Sequence, residues 1–415
     1  MALNDSDAPP LNWASSIARS FNVSASWFDS DNVWVEQLTF LSSINNLLKA
    51  EVERRNLYGL AIAWSVVRDL GRFVDGGLSQ LYGMNTPDAI VYCVRKIEQV
   101  TRPALTLPLY DKPKTDRLFL HVSRIFRYVQ LATSEVVTSN IWMDSGTKQR
   151  TLSAARRLAL RFPLPVNSRT GNWNQRLSPL GNNRSFFEEW KAAQGWMQEA
   201  EDTLEEPRAA LDHAKASVGL NLATLQPPLF APSLPVAVRF GGLGRMLAHE
   251  LMHALFGELT AGNVSKPADS WPPNADEHYE GRLACFARSY GRYHVTPGRI
   301  PLDPERFSDV ASAPVLWDAF RQQYPPSSSS APASEDFRLP GMEAVDGRKL
   351  FFLAYCLTLC TEDEDVGSKS PGDFDHMPTP QQRCNVPLMH LEQFSSAFSC
   401  SKDDKMNPAS KCSFW

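Results

Sequence analysis

The residues best equipped for chemistry in this chain are His249, Glu250 and His253, set within Leu247-Ala248-His249-Glu250-Leu251-Met252-His253. On a helix, positions four apart share a face, so both imidazoles can reach one cation. Glu250 stands about 100° around the helix from His249, outside the ligand pair but close enough to hold a water against that cation. A catalytic zinc takes three protein ligands and keeps one position open, so a third ligand must come from elsewhere. Glu305, fifty-two residues past His253 (305 − 253), is the best candidate. It follows Asp303-Pro304, a strong helix start with Asp as N-cap and Pro at the first helical position. Asp309 lies one turn further on and can accept the outer N–H of a ligand histidine, fixing its tautomer. Two neutral imidazoles and one carboxylate leave such a site net positive, which lowers the pKa of a bound water. Without further support, the same residues also read as a buried amphipathic helix and two solvated helix carboxylates.

The elements that must position these groups are mostly helical. Apolar residues recur at three- and four-residue intervals in 33–54, 58–82 and 89–102, and a further helix is expected from Lys114 to about Val137. Asp144 is a plausible cap for the next helix, whose basic run Lys148, Arg150, Arg156 and Arg157 reads as a solvated face. Residues 162–185 read as loop, 186–215 as helix, and Val218–Leu225 as a buried strand. Gly241-Gly242-Leu243-Gly244 is expected to be a flexible entry to the histidine helix, and the chain past His253 to be irregular through Pro273. Helices are expected around Glu277–Tyr293 and at Arg348–Leu359. Pro314 should kink or divide the helix that carries Glu305. The serine-rich stretch 325–334 reads as a linker, and the tail after Pro371 as loop.

At 415 residues the chain is long enough for two lobes. A net charge of −4 argues against a nucleic-acid partner, and no apolar run reaches the roughly 18 residues of a membrane span. The polar N-terminus lacks a signal-peptide pattern. The seven cysteines (Cys93, Cys285, Cys356, Cys360, Cys384, Cys400 and Cys412) show no C-x-x-C spacing, which favours disulfides over thiolate metal sites. Sequons at Asn4, Asn22, Asn183 and Asn263 are compatible with secretion. The economical expectation is an extracellular protein whose upstream part is absent from this chain.

From Leu225 onward the sequence resembles the neprilysin / endothelin-converting-enzyme family of zinc metallopeptidases. The matching stretches are Leu225-Gln226-Pro227-Pro228-Leu229-Phe230, Gly241-Gly242 ahead of His249-Glu250-x-x-His253, and Glu305-x-x-x-Asp309. Beyond them come Leu339-Pro340-Gly341, Leu350-Phe351-Phe352-Leu353, Ser370-Pro371-Gly372-x-Phe374 and Met406-Asn407-Pro408-x-x-Lys411-Cys412-x-x-Trp415. Upstream, Trp142-Met143-Asp144-x-x-Thr147-Lys148 resembles the family's helical lobe. The resemblance implies a mainly α (α+β) fold in two lobes: a partial helical lobe over 1–200 and a thermolysin-like zinc metallopeptidase lobe over 201–415. It also implies one Zn²⁺ per chain held by His249, His253 and Glu305, with Glu250 as the general base and Asp309 behind the ligands. The expected partners are short peptides, cleaved on the amino side of a hydrophobic residue. Cys285 is expected to pair with Cys412. Cys93, Cys360 and Cys400 would have upstream partners, while Cys356 and Cys384 have no family counterpart, leaving a pairing with each other open.

The sequence also departs from the family. Lys369 stands where the family carries an oxyanion-stabilising histidine, and a lysine places its donor less well. Asp375, just after Phe374, stands where the family carries an arginine that grips a substrate carbonyl, and an ionised aspartate cannot donate. His376 is a candidate substitute for either role, so Lys369, Phe374 and His376 form the expected substrate-binding set. The family's Asn-Ala falls near Arg208-Ala209, and its aspartates after the second histidine are replaced by Leu255-Phe256-Gly257. Two functions follow: a zinc metalloendopeptidase, or a catalytically impaired member that binds peptides or proteins.

Overall fold

The computed structural model describes residues 112–162, 209–212, 216–264, 275–291, 303–323, 338–360 and 378–415, with helical positions at 59–60, 63–68, 90 and 94. The chain divides into two compact units, Met1–Lys96 with Leu180–Ala192, and Ile97–Pro179 with Ala193–Trp415. All elements named below belong to the second unit. It is mostly helical with one small sheet, and among its described residues no helix is long and apolar enough to cross a membrane.

Helix α1, Lys112–Ser139, buries Val122, Ile125, Phe126, Val129, Ala132, Thr133 and Val137, a stripe of residues three and four apart. Asp144 caps α2, Ser145–Arg157, accepting from Gly146 N–H at 2.8 Å and Thr147 N–H at 3.0 Å. Strand β1, Ala159–Arg161, runs parallel to β3, Ser217–Leu220, and β2, Ala209–Asp212, lies antiparallel on the other side of β3. Ala209–Asp212 falls inside the stretch expected to be helix. Its backbone pairs with β3, and sheet pairing overrides a modest helix propensity. The strand expected over Val218–Leu225 stops at Leu220 and gives way to a 3-10 turn, Leu222–Leu225.

The histidine helix is the centre of the unit. A short helix α3, Val236–Arg239, passes through a buried π turn, Phe240–Gly244, into α4, Arg245–Val264. The expected flexible entry is therefore helical, and α4 continues eleven residues past His253 (264 − 253) where irregular chain was expected. The glycines serve close approach. A Cβ on Gly241 would lie 2.4 Å from the Phe351 carbonyl, and one on Gly242 would lie 2.5 Å from the Leu229 carbonyl. Helix α5 is Ala275–Ser289, and α6 is Pro304–Gln323. α6 packs along α4 and α1 and runs unbroken through Pro314, because it is buried along most of its length. Pro314 leaves the Val310 carbonyl without its helical donor, and one residue further on the Trp415 indole donates to the Ala311 carbonyl at 2.7 Å.

Helix α7, Gly347–Leu357, supplies aromatic rings to the core: Phe352 stacks on Trp317 with centroids 5.1 Å apart, and Phe351 on Phe320 at 4.7 Å. The tail expected to be loop instead contains α8, Pro380–Met389, and α9, Glu392–Phe398. A full capping box starts α8: Gln382 N–H donates to Thr379 Oγ1 at 3.2 Å, and Thr379 N–H donates to Gln382 Oε1 at 3.0 Å. The chain end is tied down by Phe414, edge-on to Trp142 at 5.5 Å, Tyr279 at 5.8 Å and Phe307 at 5.0 Å. Cys285 is bonded to Cys412 as the resemblance implies, and Cys356 is bonded to Cys384. Among the described residues Cys360 and Cys400 are free thiols, and Cys93 lies outside those residues.

The glycine contacts set an expectation for stability. Gly241→Ala forces α7 off the π turn, and overpacking of this kind costs roughly 1–3 kcal/mol. Denaturant unfolding of the variant should show a lowered midpoint at unchanged slope, whereas an unchanged midpoint would mean that α7 can give way.

Candidate active site

Three helices bring the site together. α4 contributes His249 and His253 one turn apart, and the first two turns of α6 contribute Glu305 and Asp309. His249 Nε2 and His253 Nε2 are 3.0 Å apart, and Glu305 places Oε2 3.2 Å from the former and Oε1 3.2 Å from the latter. One ligand atom from each of the three residues lies within 4.8 Å of the others. Zinc–ligand bonds of about 2.0–2.2 Å in a tetrahedron separate donor atoms by roughly 3.3 Å, so this spacing fits the ion. The donor types fit as well, being two imidazoles and a carboxylate.

Behind the ligands, His249 Nδ1 is 3.0 Å from Asp309 Oδ1, which directs Nε2 at the cluster. Asp309 is wholly buried. Burial alone would raise its pKa, but His249, Arg245 and Arg383 together hold it down at about 2. Glu305 also sits well below the usual carboxylate range, because hydrogen bonds from His249 and His253 outweigh its desolvation. Glu250 behaves in the opposite way. Burial pushes its pKa up, with the Glu305 carboxylate adding to that and the two histidines opposing it. Its Oε2 accepts the Leu211 N–H of β2 at 2.8 Å, so the strand read as helix in fact anchors this carboxylate.

Glu250, His249, His253, Glu305 and Asp309 thus converge as expected. Lys369, Phe374, Asp375 and His376 lie outside the described residues, as does Arg208. Two site residues escaped the sequence reading. Arg383, on α8, donates to Asp309 Oδ2 at 2.8 Å through Nε and to Oδ1 at 3.1 Å through a terminal nitrogen. The same terminal nitrogen is 3.3 Å from Glu305 Oε2 and 3.3 Å from His249 Nε2. An arginine therefore reaches the site although Asp375 takes the arginine's place in the resemblance. Its signal was the capping box Thr379-x-x-Gln382, which marks a helix start and not a loop. Arg245 is the other, and its spacing of four before His249 puts it on the ligand face. It donates to Asp309 Oδ1 at 3.1 Å.

Comparison with known proteins gives the family of the chain. The model of peptidase family M13 matches residues 182–414, more than half of the chain, and the chain belongs to that family. It is 23% identical over 331 residues to Neprilysin-11 of Caenorhabditis elegans, covering 74% of this chain and 37% of that protein. Among solved structures, the Haemonchus galactose-containing glycoprotein complex superposes with a TM-score of 0.60 at 17% identity, covering 79% of this chain and 54% of that one. The Mycobacterium tuberculosis zinc metalloprotease Zmp1, in complex with an inhibitor, superposes at 0.54 and 16% identity, covering 76% and 50%. These structural likenesses establish the fold. The chain spans 37 to 54% of the length of these three proteins.

Asp309→Asn tests the support behind the ligands. Loss of a carboxylate that orients a ligand histidine typically weakens metal binding about 10- to 100-fold. Chelator competition on the folded variant should show that loss, and wild-type zinc affinity would mean that Asp309 serves only the fold.

Proposed function

We propose that this chain carries the catalytic centre of a zinc metalloendopeptidase that hydrolyses short peptides. The observation that carries this reading is the convergence of His249, His253 and Glu305 beside a buried, strand-anchored Glu250. His249, His253 and Glu305 hold one Zn²⁺ per chain, with Asp309 orienting the first histidine from behind through Nδ1 and Arg383 beside the ligand atoms of His249 and Glu305. The bound ion supplies Lewis-acid polarisation of the scissile carbonyl. Glu250 takes the proton of the attacking water and returns it to the leaving amine. Its raised pKa brings it closer to the neutral range in which a general base works best. The Leu211 N–H holds one oxygen of Glu250, which leaves the other for the proton.

The remaining assignments rest on the family resemblance. Peptides cut before a hydrophobic residue are the substrates, and Lys369, Phe374 and His376 contribute to binding them. Residues 201–415 form the catalytic lobe and 1–200 part of a helical lobe. The two disulfides fit an extracellular setting. A second reading, a family member that binds peptides without cutting them, is favoured by Lys369 and Asp375 at positions where a histidine and an arginine are expected. Arg383 weakens that reading by returning an arginine to the site.

Zinc stoichiometry and turnover of a quenched hydrophobic peptide, wild type against Glu250→Gln, decide between them. The expected result is one zinc in both proteins, with kcat lowered at least about 10²-fold in the variant. One zinc in each with turnover in neither would establish the binding reading, and no zinc in the wild type would overturn both.

A further inference from the structure

The charges behind His249 do not balance in the usual way. A carboxylate that orients a ligand histidine raises the ligand's basicity and strengthens its bond to the metal. Asp309 has more donors than that role can share. Arg383 alone engages both of its oxygens, at 2.8 and 3.1 Å, and so already satisfies this buried carboxylate. Arg245 adds a third guanidinium contact, 3.1 Å from Oδ1, the same oxygen that faces His249 Nδ1 at 3.0 Å. A carboxylate oxygen offers about two lone-pair sites, so three donors compete for Oδ1. His249 Nδ1, at 3.0 Å, therefore shares Oδ1 with two guanidinium nitrogens, each at 3.1 Å.

Arg245 is a surplus cation by its other contacts too. Its side chain is 5% exposed, its guanidinium lies over the Tyr355 ring at 5.0 Å, and its Nε finds no hydrogen-bond partner among the described residues. A buried guanidinium is costly unless compensated, and here it draws on a carboxylate that a second arginine already holds. Removing Arg245 leaves Asp309 fully paired, whereas removing Arg383 does not.

Resting on the zinc-site reading above, we propose that Arg245 is a positioning residue that loosens the grip of Asp309 on His249 and so sets zinc retention below what the three ligands alone would give. Drawing electron density away from the histidine makes the bound ion a stronger Lewis acid at the expense of its hold. A residue that merely braced Asp309 would have the opposite effect on the metal.

The test is the zinc dissociation constant by chelator competition at fixed pH, for wild type, Arg245→Met, Arg245→Gln and Arg245→Lys. The two variants without the charge should bind zinc about tenfold or more tightly than wild type, the size of effect typical of residues behind the ligands. Arg245→Lys keeps the charge and should stay near the wild-type value. Unchanged or weaker zinc binding in the methionine and glutamine variants overturns the proposal, and so does failure of both to fold, which would make Arg245 a structural brace. A wild type that binds no zinc fails at the earlier step and identifies the site reading itself as the fault.

Discussion

A carboxylate with no solvent exposure sits at the junction of the three helices that build this site, and the arrangement around it follows from the cost of burying it. Several kcal/mol are at stake when a charge is taken out of water, and Asp309 is kept ionised by cations from two directions. Arg245 comes from the start of α4 and Arg383 from α8, while Asp309 itself lies on α6 one turn after Glu305. Satisfying this one group therefore requires α4, α6 and α8 to meet in a single register. That register also brings Glu305 to the histidine pair.

Apolar packing makes the meeting possible. Phe256 on α4 and Phe307 on α6 lie 5.1 Å apart beside the ligand residues, and Leu247, Leu251 and Leu255 bury the opposite side of α4. Gly241 lets α7 approach until Tyr355 lies under Arg245, and the neighbouring Cys356 is bonded to Cys384, next to Arg383. One covalent link thus joins the helix that supports the first arginine to the helix that carries the second. Removing Arg383 or Asp309 from this arrangement would leave a buried charge short of its partner, which costs more than the hydrogen bond itself contributes.

Local patterns foretold local structure well. Asp144 and the Asp303-Pro304 pair mark helix starts because a side-chain oxygen or a preset φ acts within one turn, and both starts are where expected. The i, i+4 histidines and the carboxylates of Glu305 and Asp309 were legible for the same reason. Several expectations gave way where tertiary contacts decide. Ala209–Asp212 became strand because β3 was available to pair with it. Gly241–Gly244 stayed helical because its glycines are needed for close packing, which a glycine count reads as flexibility. Of the kink or break expected at Pro314, the break does not occur, since a helix buried on most sides tolerates the loss of one hydrogen bond.

The charged residues behind the ligands were the hardest to read, and the reason is physical. In sequence, an arginine is by default a solvated side chain, and only burial turns it into part of a site. Arg383 lies 74 residues from the carboxylate it engages, and Arg245 lies 64 from it. Neither separation has any periodicity to betray it. The ligand spacing reveals that a metal can bind, because the helix alone positions both imidazoles. Which cations share Asp309, by contrast, depends on how α6 and α8 pack against α4.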